Sequence, residues 1–150
     1  MYIAAKGGGA FCNGVSVHVT ADSDLLKTLI AYGIDGHQEN PQITADETAL
    51  LSDIILGIRN LRSSNSAYDF MLVADGRYGG YLNRTSKIWD NVAPQIIIEE
   101  AGGVFTDFFG KPIDYTNPLS RVDENFTMCA APPALHERLQ QIINRSQRPA

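Results

Sequence analysis

The residues best suited to chemistry lie in one stretch, Trp89-Asp90-Asn91-Val92-Ala93-Pro94-Gln95-Ile96-Ile97-Ile98-Glu99-Glu100-Ala101-Gly102-Gly103. Its apolar spacing and trailing glycine pair predict a helix from Ile88 to Ala101, with Asp90 in the first turn. There a carboxylate meets unpaired backbone amides and the positive end of the helix dipole, so a cap is its plain role. A helix N-terminus is also an anion site. A carboxylate beside it can hold a divalent cation that bridges to a phosphate, and the two roles coexist.

Other candidates are weaker. Gly7-Gly8-Gly9 has the backbone freedom to cradle an anion, but no Lys-Ser/Thr follows and no helix begins there, so a tight turn explains it better. The segment Asp35 to His37 leaves the end of a buried apolar run, where ligands gather in open α/β sheets. Asp75-Gly76-Arg77 falls where a helix stops and reads as a structural turn. Asp69 and Glu47 read as capping partners, and Glu99 and Glu100 as acids near a helix end. His18, His37 and His136 lack metal-ligand spacing. Cys12 and Cys129 are far apart among apolar neighbours, as reduced thiols are. Three Asn-x-Ser/Thr matches, at Asn83, Asn125 and Asn144, carry no weight without a secretory signal.

These residues need a scaffold. Tyr2 to Ala5 and Ala10 to Val19 alternate like strands, with Gly7-Gly8-Gly9 and Asn13-Gly14 as turns of a small antiparallel unit. Leu29 to Ile34 reads as a buried strand, followed by a loop to Gln42. Thr44-Ala45-Asp46-Glu47 fits a capping box opening an amphipathic helix over 45–60. Ser66-Ala67-Tyr68-Asp69 repeats that signature before a second helix closing near Gly76. Strands follow at Tyr78 to Asn83, Val104 to Thr106 and Phe126 to Ala131, with a last helix from Pro133 to about Asn144 and a frayed tail from Arg145. Strands alternating with helices predict an α/β layered sheet with flanking helices.

With 44% hydrophobic and 19% charged residues, the 150-residue chain can bury a real core. Its net charge of −5, without a basic run, argues against nucleic acid as a partner. No apolar run has the length of a membrane span and no signal sequence opens the chain, so the expectation is a soluble, cytoplasmic protein with no membrane partner.

The pattern Trp-Asp-x-x-Ala-x-x-x-Ile-x-x-Glu-Ala-Gly-Gly at 89–103 resembles the C-terminal signature of the inositol monophosphatase family. Gly9-Ala10-Phe11-Cys12-Asn13-Gly14, Ser66-Ala67 leading to Val73-Ala74-Asp75-Gly76-Arg77, and Thr106-Asp107 followed by Gly110-Lys111-Pro112 resemble the same family in the same order. The resemblance implies a magnesium-dependent phosphomonoesterase, usually lithium-sensitive, that acts on a phosphorylated small molecule and is often a homodimer. It implies Asp90 as a metal ligand and Ser66 and Ala67 as the segment lining substrate hydroxyls. Asn83 matches a position where many members carry a Glu that binds a substrate hydroxyl.

The family's N-terminal metal-binding Glu and its Asp-Pro-x-Asp-Gly-Thr segment have no counterpart in these residues. The expectation is therefore the C-terminal portion of the inositol monophosphatase/sugar phosphatase fold. Residues 1–20 form a hairpin belonging to the sheet of a missing N-terminal half, and 21–150 form the C-terminal α/β domain. One carboxylate does not retain magnesium, which demands near-octahedral oxygen ligation, so the chain alone is expected to be inactive. Inositol, sugar, histidinol and nucleotide phosphates remain open as substrates. The competing expectation is a noncatalytic interaction or regulatory domain that keeps the fold.

Overall fold

The computed structural model describes residues 1–146. The chain opens with a three-stranded antiparallel meander of β1 (Tyr2–Ala5), β2 (Gly9–Cys12) and β3 (Val15–Val17). Both turns fall at the expected glycines. At the second, Asn13 and Gly14 have φ of 51° and 83°, the paired left-handed conformation that joins tightly twisted strands.

The remaining strands form one mixed sheet. They are β4 (Leu29–Gly33), β5 (Asn60–Ser63), β6 (Gly80–Ser86), β7 (Val104–Thr106) and β8 (Phe126–Ala131), in the order β5-β4-β6-β8-β7. β4 runs parallel to β5 and β6, while β8 is antiparallel to β6 and β7. The helices are α1 (Pro41–Leu56), α2 (Ala67–Ala74), α3 (Ile88–Glu100) and α4 (Pro133–Ser146). The α/β layered sheet with flanking helices is thus the architecture the chain adopts.

Strand alternation divides the core. Ile30, Tyr32, Leu82, Cys129 and Ala131 pack with Leu50 and Ile54 of α1 and Leu135, Leu139 and Ile143 of α4. Ala31, Tyr81, Met128 and Ala130 point the other way, toward Phe70 and Val73 of α2 and Ile98 of α3. The meander packs on the outside of α3, so the layers run helix, sheet, helix, sheet.

Several expectations change. The first helix begins at Pro41, not at residue 45, with Asn40 as its N-cap and proline in the first turn, where a missing N–H costs nothing. The Thr44–Glu47 capping box does not form. Thr44 Oγ1 instead accepts from the His37 amide at 2.9 Å, and Glu47 turns inward, 1% exposed, to accept from the Tyr32 hydroxyl. The helix expected to reach residue 60 stops at Leu56, and the polar segment Asn60–Ser63, not read as a strand from sequence, forms edge strand β5. The expected tail begins later, since Arg145 and Ser146 belong to α4; residues 147–150 lie outside the described residues.

Candidate active site

Two helices start beside one another at a recess of about 230 Å³ lined by Asn65, Ser66, Ala67, Phe70, Tyr81, Asn83, Thr85, Ser86 and Asp90. Ser66 caps α2 as expected: its hydroxyl accepts from the Tyr68 amide at 3.1 Å, and Asp69 Oδ2 accepts from the Ser66 amide at 3.2 Å. Asp90 sits at the third position of α3, where Oδ2 accepts from the Lys87 amide at 3.0 Å. Among the described residues, Oδ1 of Asp90 has no hydrogen-bond partner. The cap therefore uses half of the carboxylate and leaves the other half free. One turn on, Pro94 has no N–H to give the Asp90 carbonyl, which lacks its intrahelical bond.

Asn83 sits at the bottom, 1% exposed. Its Nδ2 donates to Asn65 Oδ1 at 2.7 Å and to the Tyr81 hydroxyl at 3.3 Å, while its Oδ1 accepts from the Thr85 amide at 2.6 Å. Both amide protons and one acceptor site are thereby used within the fold. Gly33, opposite Asn83 in the β4–β6 register, makes this possible, because a Cβ there would collide with Asn83 Nδ2. This burial also removes the Asn83 sequon from consideration.

The recess is electronegative. Tyr81 is pushed up to about 12, by burial first, against a bond from Asn83 that lowers it, with Asp69, Asp90 and Asp35 adding to the rise. Its phenol stays neutral. Asp35, Asp69 and Asp90 have no ion-pair partner among the described residues, whose salt bridges all lie elsewhere. Asp35 opens the Asp35 to His37 segment singled out from sequence, whereas Asn65 and Thr85 were not among the expected site residues. The clue lay in strand register, since Asp35 follows β4 by two residues and Thr85 lies two beyond the Gly33–Asn83 pair.

The remaining candidates take structural places. The glycine turn does cradle an anion, but an internal one: Gly7 and Gly9 amides donate to the two Glu100 oxygens at 2.7 and 2.8 Å. Asp75 accepts from Tyr2 at 2.6 Å and from Arg77, tying the helix stop to β1. His136 is buried against Thr106, at 2.8 Å. Both cysteines are free, and burial pushes the Cys129 thiol up to about 12. A wider groove of about 520 Å³ between Leu26, the end of α1 and α4 holds none of the candidate site residues.

A family model described as the inositol monophosphatase family matches residues 1–148. The chain belongs to the inositol monophosphatase family. Mouse inositol monophosphatase 1 is 35% identical over 118 residues, covering 76% of this chain and 42% of the mouse protein. A probable inositol 1-monophosphatase of Mycobacterium tuberculosis is 31% identical over 144 residues, covering 95% of this chain and 50% of its own length. Among solved structures, the inositol monophosphatase of Anabaena superposes with a TM-score of 0.80 at 28% identity, over 96% of this chain and 54% of that one. The chain therefore spans about half the length of the family members it matches.

Whether these residues suit the family's metal can be tested on their own donors. Among the described residues, no three His, Cys, Asp or Glu side chains are placed to hold one ion. Asp90 offers one oxygen, whereas magnesium takes six ligands, mostly hard oxygens. The described side chains do not by themselves make a magnesium site.

Proposed function

We propose that this chain forms the C-terminal part of a magnesium-dependent phosphomonoesterase acting on a polyol, sugar or related phosphate, and that it is inactive alone. The observation that carries the reading is the half-used Asp90 carboxylate, set at a helix start beside the recess in a chain of this family. Asp90 would contribute one metal ligand to a site completed by an N-terminal half. When bound, the metal would supply an activated water and charge neutralisation of the phosphate oxygens. This chain's part is to bind and orient. The starts of α2 and α3 turn backbone amides toward an anion, and Ser66 and Ala67 form the wall that meets the alcohol portion, with Asn83, expected there from the resemblance, buried behind it.

In this reading residues 1–20 continue the sheet of the N-terminal half. Both β1 and β3 are edge strands within these residues, and unpaired edges favour a further strand. The setting would be cytoplasmic and the whole enzyme a homodimer. No helix among the described residues is long and apolar enough to cross a membrane.

The test is phosphate release from a panel of polyol, sugar and histidinol phosphates, with magnesium present. The chain alone is expected to be silent. Assembled with a separately expressed N-terminal half of the Anabaena enzyme, it should gain lithium-sensitive activity that Asp90→Asn abolishes. Turnover by the chain alone, or silence of a verified assembly, would overturn the reading; the second outcome would favour a noncatalytic module.

A further inference from the structure

The parallel strands β5, β4 and β6 end side by side, and each supplies a polar residue just at or beyond its carboxyl end: Asn65, Asp35 and Thr85. Ligands of open α/β sheets bind outside these ends. Asp35 is half-buried. Its Oδ2 accepts from the Thr85 hydroxyl, and Asn65 Nδ2 lies 3.4 and 3.5 Å from its two oxygens, at the limit of a hydrogen bond. A carboxylate has about four acceptor sites, so capacity remains on Asp35, whereas Asn83 is 1% exposed with both amide protons committed inside the fold.

We infer that Asp35 determines specificity for the alcohol portion of the phosphoester, and that Asn83 is a positioning residue acting through Asn65 and Thr85. The inference rests on the phosphatase reading above. Asn83 holds both residues that touch Asp35: its amide donates to Asn65 and its oxygen accepts from Thr85. The acceptor that meets the ligand thus lies just beyond the end of β4. An ionised carboxylate only accepts, so the ligand group reaching it must donate. Hydroxyl-bearing and ammonium-bearing alcohols fit, while a carbonyl or carboxylate at that point is repelled.

The full 150-residue chain, labelled with nitrogen-15, tests this without turnover. It is titrated separately with myo-inositol, a neutral hydroxyl donor, and with ethanolamine, an ammonium donor. Saturable amide shifts at Asn65, Ser66 and Thr85 are expected with at least one probe, and the responding probe identifies the donor class. Asp35→Asn, whose otherwise unchanged spectrum reports an intact fold, should lose the shifts; Asp90→Asn should keep them. Thr85→Val, which leaves the carboxylate but frees it to move, should weaken them. No saturable shift with either probe, or shifts unchanged in Asp35→Asn, would overturn the inference. Shifts that depend on Asp35 in a chain whose assembly releases no phosphate would overturn the phosphatase reading and leave Asp35 as a binding residue.

Discussion

The Tyr32 hydroxyl donates to Glu47 Oε1 at 2.9 Å between the central sheet and α1, where both side chains are buried. The bond explains why the apparent capping acid of α1 is not at a helix end. Burial and the neighbouring carboxylate push the Tyr32 phenol well above its ordinary range, so it donates at any physiological pH. Tyr32→Phe leaves a buried acceptor without its donor, and unsatisfied groups of this kind cost about 1–3 kcal/mol. Urea unfolding should show that loss, with a smaller one for Glu47→Gln, which keeps an acceptor. Equal stability of Tyr32→Phe and wild type would show that the bond contributes nothing.

Acid should release the meander before it opens the central sheet. Bonds from the Gly7 and Gly9 amides hold Glu100 below the usual carboxylate range. Burial raises Asp75, but bonds from Arg77 and Tyr2 outweigh it and leave Asp75 low as well. Both folded values lie below the unfolded ones, near about 4. Each contact is therefore fully present above that pH and is lost as pH falls through the depressed folded values. Hydrogen exchange across this window should show β1–β3 losing protection relative to β4, β6 and β8. In Glu100→Gln the loss should shift toward the Asp75 titration alone; a profile identical to wild type would remove Glu100 from the account.

Gly33→Ala should damage the recess from behind. A Cβ at this position collides with Asn83 Nδ2, and overpacking a tight interior costs about 1–3 kcal/mol. Thermal unfolding should register the cost, and the side-chain amide resonances of Asn65 and Asn83 should move. A neutral substitution would mean that Asn83 can repack freely and does not fix its neighbours.

The isolated chain should self-associate. Trp89 is 60% exposed beside Asp90, with Val92 on the same helix and Met1, Ile3 and Val15 exposed on the meander. Apolar surface of this kind seeks a cover. Sedimentation should show mass rising with concentration, reduced by Trp89→Ser. A monomer at every concentration would count against it.

Much of this fold could be read locally. Asn13-Gly14, the Ser66–Asp69 box and the glycine stop after α3 encode their turns in adjacent residues, and each forms where expected. The start of α1 does not, because the competing signals at Pro41 and Thr44 are decided by Tyr32 and His37, contacts made by the fold. β5 escaped because Asn60, Arg62 and Ser63 carry no alternation, and an edge strand needs little. Within the site, Asp90 and Ser66 announce themselves as helix-start residues. Asp35, Asn65 and Thr85 come together only through the register of three strands, which neighbouring residues in sequence cannot convey.

The place of β8 bears on how the chain is made. It is the last strand among the described residues, yet it lies inside the sheet between β6 and β7 and bonds to both. During synthesis, β7 has nothing to pair with until Phe126–Ala131 has left the ribosome, and Leu135, Leu139 and Ile143 of α4 follow later still. Such distant pairings slow folding and leave unfinished edges open to other chains. A nascent chain stalled before residue 126 would thus expose an incomplete sheet, and chaperones would matter most until Phe126–Ala131 emerges.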